Sequence, residues 1–197
     1  KFRFGTFPQG SVPDVLLRYW LTDVAEVDPE EAVEITEIDG ANAVFQAAVN
    51  DEIDGTSIME PVPTRLAGVD SSIRTFRNAA EIMPGQPAAV TLMHDRLRNE
   101  HREIANEFVR LHQEATAFVG NEPQTAAQHA SSVIGESALP VDTARAALDS
   151  PASDFITNPH DIEDGAKIFA DYAQTLGKTD VQLTVDELFD YGIYDSL

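Results

Sequence analysis

The 197 residues carry 34 acidic against 13 basic side chains, a formal net charge of -21, and no cysteine, while 43% of them are hydrophobic. The hydrophobic share is ample for a folded core. The charge argues against nucleic acid and anionic membrane as partners, since both recruit basic surfaces, and the missing thiols exclude disulfides, thiolate zinc sites and cysteine nucleophiles.

The acids are spread through every helical stretch, and only Lys1, Lys167 and Lys178 are lysines. The pattern reads as that of a protein from a high-salt organism, where salt screens the self-repulsion of a compact acidic chain, with a generic acidic soluble protein as the alternative. No stretch reaches the apolar length that spans a bilayer, so no membrane insertion is expected in this segment. The chain opens on Lys1 and Phe2 without an initiator Met, which reads as a processed or excised piece with any targeting segment removed.

In chain order, residues 2–7 read as a strand, and Pro8-Gln9-Gly10-Ser11 as a turn into a helix that Ser11 caps and Pro13 opens. Val12, Val15, Leu16, Tyr19 and Trp20 recur at helical spacing, so one face of that helix is buried. Gly10 and Ser11 are expected to leave outward-pointing backbone N–H groups at its start, suited to an anion or a carbonyl. An ordinary capped helix accounts for the same residues. Residues 26–31 form an acidic connector, 32–38 read as a second strand, and Asp39 can cap a helix burying Ala41, Val44, Phe45, Ala48 and Val49. Gly55 then turns the chain into a third strand through Met59. Strand, helix, strand, helix, strand with short loops predicts parallel strands joined by right-handed crossovers.

The stretch 51–66 organises the rest. Glu60 stands at the C-terminal end of the third strand, immediately before a helix opened by Pro61 and Pro63. Open α/β sheets hold their ligands at such a junction. A first-turn carboxylate favoured by the helix dipole is the plainer reading of the same residue. Residues 73–77 read as a fourth strand, Met83-Pro84-Gly85-Gln86-Pro87 as the clearest turn in the chain, and 88–93 as a fifth strand. Everything beyond is expected to be helical: 95–120 with Leu97, Ile104, Phe108, Leu111, Ala115 and Phe118 at three-four spacing, then 123–134, 140–148, 159–176 and 184–189.

His94, His101 and His112 lie near acids but at no spacing a metal motif uses, so no metal is expected. The chain has no Gly-x-Ser-x-Gly elbow, no phosphate-binding glycine loop and no dinucleotide fingerprint. Neither a cofactor nor an enzymatic activity is therefore expected.

Three segments, in this order, resemble the substrate-binding proteins of ABC importers for nitrate, sulfonate, taurine and thiamine precursors, the NMT1/THI5-like group. The first is Phe4-Gly5-Thr6-Phe7-Pro8-Gln9-Gly10-Ser11 with the helix running to Leu21. The second is Val33 to Ile38 leading into Ala47-Ala48-Val49-Asn50-Asp51-Glu52-Ile53-Asp54-Gly55. The third is Ile58-Met59-Glu60-Pro61, with Met59 where the group has tryptophan. Gly165 to Asp190, with Phe169, Tyr172, Gly177, Leu188 and Phe189, is similar to the group's closing helix.

The resemblance implies an α/β, type II periplasmic-binding-protein fold with the ligand between two lobes. Residues 1–87 would be lobe two, with a mostly parallel sheet, and 88–197 a crossover strand and helical return to lobe one. The N-terminal half of lobe one is expected to be absent, leaving an apolar surface on the helices after residue 95. Carried over by position, Gln9, Gly10 and Ser11 would donate to the ligand, while Met59 and Glu60 would line the cleft. Met59 removes a stacking platform, and Glu60 suits an amino-bearing ligand such as taurine or an aminopyrimidine. The implied function is the solute-binding component of an ABC importer, exported to the cell surface or beyond, with permease subunits as partners. The alternative is an enzyme on the same fold, akin to menaquinone-pathway relatives. The pyrimidine-synthase branch of the group relies on a cysteine-rich motif that this chain lacks.

Overall fold

The computed structural model describes every residue except Gln182. Three parallel strands, β1 (Phe2–Thr6), β2 (Val33–Glu37) and β3 (Gly55–Thr56), form one sheet in the order β2-β1-β3. Phe4 lies opposite Ile35, and Gly5 opposite Thr56. Strand alternation divides the side chains between two faces. Phe4, Val33 and Ile35 pack with Leu17 of α1 (Val12–Tyr19) and with Leu21. On the other face Phe7, Ile38 and Ile53 pack with Val44 and Ala47 of α3 (Ala41–Val49). The connection from β1 to β2 and the return from β2 past β1 to β3 run in opposite directions across the sheet, and crossovers of the usual right hand then put their helices on opposite faces. Gly5 permits the second packing, because a Cβ there would stand 2.8 Å from the Cδ1 atoms of both Ile38 and Ile53.

Between α1 and β2 the chain widens into a π turn over Trp20–Val24 and makes the single turn α2 (Pro29–Ala32), capped by Asp28, whose Oδ1 accepts from Glu30 N–H at 2.8 Å. Arg3 anchors the opening of β1 to the turn before β3. Its guanidinium donates to Asp54 Oδ1 at 2.7 Å and its backbone N–H to Oδ2 at 2.8 Å. These bonds hold the Asp54 carboxyl at about 2.

The sheet is smaller than expected. β3 pairs only through Thr56, opposite Gly5, and β1 ends one residue later at Thr6, so residues 58–59 have no ladder to join. Among the described residues neither 73–77 nor 88–93 pairs with a strand, so the expected fourth strand and the crossover strand do not form. Phe76 instead meets Trp20 edge-on at 5.9 Å, and Val90 and Leu92 face solvent. Apolar alternation signals a strand only where a neighbouring strand supplies hydrogen bonds. After α4 (Val62–Val69), residues near the lost fourth strand give one helical turn, α5 (Ala79–Ile82). It is opened by a capping box between Asn78 and Glu81, an Asn-x-x-Glu signature legible in the sequence.

Beyond residue 94 the chain is helical, as expected, with one break. At His101 (φ -133°, ψ 50°) the expected 95–120 helix divides into α6 (Asp95–Glu100) and α7 (Arg102–Asn121). α8 (Pro123–Ile134) and α9 (Val141–Leu148) form a hairpin around Ala127, Leu139 and Ala144. The helical half returns onto the sheet unit: α9 packs on α4, and α10 (Glu163–Thr175) packs on α1. There Tyr172 meets Tyr19 edge-on at 5.2 Å, and its hydroxyl lies 2.8 Å from Thr22 Oγ1. The single turn α11 (Val185–Leu188) and a 3-10 turn over Tyr194–Ser196 precede the C-terminus.

The accessible surface is 12018 Å², against about 9,200 Å² for a compact monomer of this mass. Part of the difference lies on α7, where Ile104, Phe108 and Leu111 are each about half exposed.

The C-terminus is clasped by a histidine. His160 Nδ1 lies 2.7 Å from Glu163 Oε1 and Nε2 lies 2.9 Å from Asp195 Oδ1, while its ring packs on Tyr191 with centroids 4.0 Å apart. Donating to both carboxylates requires a proton on each nitrogen. The bonds to Asp195 and then Glu163 raise the His160 pKa. A raised folded-state pKa gives stability that is fully present below the ordinary histidine range and lost as pH rises through the folded value. The groups are well exposed, so the effect is small. A titration of the imidazole by NMR should show a pKa above 6.5 in the wild type. Asp195→Asn should bring it down, and a wild-type value at or below 6.5 contradicts the clasp.

Candidate functional site

β1 and β3 are adjacent and parallel, so the loops that follow them leave from the same edge of the sheet. The chain steps from β1 to β2 on one side and then crosses to β3 on the other, so this edge lies where the strand order reverses. Open parallel sheets bind ligands at such points. Two side chains join the strands there: Thr56 Oγ1 donates to Gly5 O at 2.7 Å, and the fully buried Thr6 donates through Oγ1 to Ser57 O at 3.4 Å. The loop holding Gln9, Gly10 and Ser11 and the junction holding Met59 and Glu60 thus both follow the C-terminal ends of these paired strands.

The first loop is built differently from the expectation. Ser11 N–H donates to Pro8 O at 3.0 Å, and Gly10 N–H donates to Asp14 Oδ2 at 2.8 Å. The expected outward-pointing N–H groups of Gly10 and Ser11 are therefore consumed within the loop. Ser11 makes no side-chain capping bond, and Asp14 reaches back from the first turn instead. Gly10 has φ +89°, a conformation that strains other residues. Asp14 has no exposed surface, and its Oδ1 accepts from Arg18 Nε at 2.8 Å while Arg18 Nη1 reaches Glu30 at 3.0 Å. Burial opposes the charge on Arg18, but the bonds to Asp14 and Glu30 outweigh it and raise the guanidinium's pKa. Two groups of the loop remain for a ligand. The Gln9 side chain is exposed, and Ser11 Oγ is buried without a hydrogen-bond partner among the described residues.

At the second junction Met59 is 45% exposed. Glu60 Oε2 accepts from Thr64 N–H at 3.2 Å in the first turn of α4. The plainer reading of Glu60, a first-turn carboxylate at a helix start, is what the geometry contains, and it leaves Oε1 without a described partner.

One neighbour of the site is not visible in local sequence. α10 ends in a Schellman motif: Gly177, at φ +66°, donates to Gln174 O at 2.8 Å, and Lys178 N–H donates to Ala173 O at 2.9 Å. The chain then lays the Lys178 stem on Gly10. A Cβ at Gly10 would stand 3.1 Å from Lys178 Cδ and 3.4 Å from Cγ and Cε. A glycine closing a helix was readable, but the packing of α10 on α1 that aims the next residue was not.

Among the described residues no three histidine or acidic side chains converge as a metal site would require, and no helix is long and apolar enough to cross a membrane. A family model described as the NMT1-like family matches residues 1–135, which include Gln9, Gly10, Ser11, Met59 and Glu60 but not Lys178. No curated protein and no solved structure matches the chain.

Proposed function

The chain belongs to the NMT1-like family, and from that premise we propose that it is the solute-binding component of an ABC importer, acting outside the cell or at its surface. It binds without chemistry. A small solute lies between the loop after β1 and the junction after β3, and a hinge closure presents the loaded form to the permease subunits. The observation that supports this reading is that the two segments follow adjacent parallel strands, β1 and β3, whose ends Thr6 and Thr56 tie together. Gln9 and Ser11 supply donors from one side. Glu60 Oε1 takes an amine from the other, and Met59 gives apolar contact without an aromatic platform. An amino-bearing solute fits this set. The type II two-lobed arrangement and a high-salt habitat for the acidic surface are parts of the same reading.

Thermal unfolding in multimolar KCl with taurine, alkanesulfonates, nitrate, bicarbonate and aminopyrimidines tests it. A solute at a hundred times its dissociation constant should add roughly 2.7 kcal/mol, raising the melting temperature by roughly 5–10 °C. At least one class should do so, with amino-bearing members ahead. A flat panel contradicts the reading.

A further inference from the structure

Lys178 stands apart from the other lysines. Lys1 Nζ donates to Glu30 O, and Lys167 Nζ pairs with Asp171 Oδ2 at 2.6 Å. Lys178 has no side-chain partner among the described residues, in a chain of net charge -21 where acids are everywhere at hand. Lys178 is exposed, and two glycines with positive φ shape the path of its stem. Gly177 lets the chain leave α10 in the Schellman geometry, and Gly10, without a Cβ, opens the space its stem occupies. The α10–α1 contact through Tyr172, Tyr19 and Thr22 fixes the two elements relative to one another. Lys178 Cε lies 3.4 Å from the position of a Gly10 Cβ, and its ammonium is one bond, about 1.5 Å, further on. Ser11, next to Gly10, keeps a buried hydroxyl without a hydrogen-bond partner among the described residues.

We propose that Lys178 is the charge-selecting residue of this site: its ammonium binds the anionic end of the solute, a carboxylate or sulfonate, whose oxygens also satisfy Ser11 Oγ. This rests on the solute-binding reading above and adds to it a residue from outside the part of the chain the family model matches. The carboxylate of Asp14, close by, is already engaged with Gly10 N–H and Arg18.

The test compares two probes of one shape and different charge, methanesulfonate and dimethyl sulfone, by amide NMR at constant chloride, with 2-aminopyrimidine as a probe free of anionic groups. In the wild type, methanesulfonate should shift the Gly10 and Ser11 amides saturably while dimethyl sulfone leaves them unmoved. Lys178→Met keeps most of the stem and should weaken methanesulfonate at least tenfold, whereas Lys178→Arg should retain it. Equal titration of Lys178→Met and wild type, or equal response to the two probes, overturns the assignment of Lys178. No wild-type response to methanesulfonate overturns it too. In each of those cases a response of the same amides to 2-aminopyrimidine leaves the solute-binding reading standing, and silence to all three probes removes both.

Discussion

Replacing Gly165 by alanine should destabilise the protein by about 3 kcal/mol, in the upper range for overpacking a close contact. Gly165 is buried in the first turn of α10, against the 83–87 turn. A Cβ built there falls 2.0 Å from the Gly85 carbonyl carbon, 2.1 Å from its oxygen and 2.3 Å from Gln86 N. All three are backbone atoms, so no side chain can rotate out of the way. The turn is itself constrained: Pro84 and Pro87 fix φ on either side of Gly85, Gly85 holds φ +72°, and Met83 is 1% exposed. α10 must therefore back away, taking with it Tyr172 and the chain leading to Lys178. The melting temperature should fall by roughly 6–12 °C. Gly68→Ala is the matched control. A Cβ there meets nothing within 4 Å, and alanine in place of a glycine inside a helix favours α4 by up to about 1 kcal/mol. Equal melting of the Gly165→Ala variant and wild type contradicts the packing of α10 on this turn.

Asp14→Ala should cost about 3–5 kcal/mol, because it strands one partner of a buried ion pair. Asp14 is fully buried and the Arg18 side chain is 13% exposed. The substitution leaves Arg18 with only the outer bond to Glu30 and deprives Gly10 N–H of its acceptor. Asp14→Asn keeps an acceptor for Gly10 but loses the charge opposite Arg18, and should cost about 1–3 kcal/mol. Glu30, with a side chain 80% exposed, should be replaceable by alanine at under about 1 kcal/mol. Urea midpoints give the order. A smaller loss for alanine than for asparagine at position 14, or none for either, contradicts the role assigned to this carboxylate. Because Asp14 shapes the loop, solute affinity should fall in parallel.

The β-α-β-α-β opening was legible because its signals are local: a hydrophobic period, a turn, a cap. What failed depended on partners far along the chain. β3 pairs for two residues beside a β1 that ends at Thr6, and residues 73–77 and 88–93 alternate without a strand to bond. The break at His101 interrupts an apolar spacing that runs on unbroken across it. At the site, Gln9, Gly10, Ser11, Met59 and Glu60 were readable as two segments, and the parallel order of the strands brings those segments to one edge. Their internal bonding was not readable. Ser11 looked like the cap, whereas Asp14, three residues on, takes the Gly10 N–H. Lys178 was beyond reach, since only the tertiary contact of α10 with α1 aims it.

The central claim is that the loop after β1 and the junction after β3 are halves of one solute site. Amide hydrogen exchange with the most stabilising solute of the panel tests it most directly. Residues 9–15 and 57–64 should both slow on binding, with the same concentration dependence. Protection of only one segment, or protection confined to the Ile104, Phe108 and Leu111 face of α7, would contradict it.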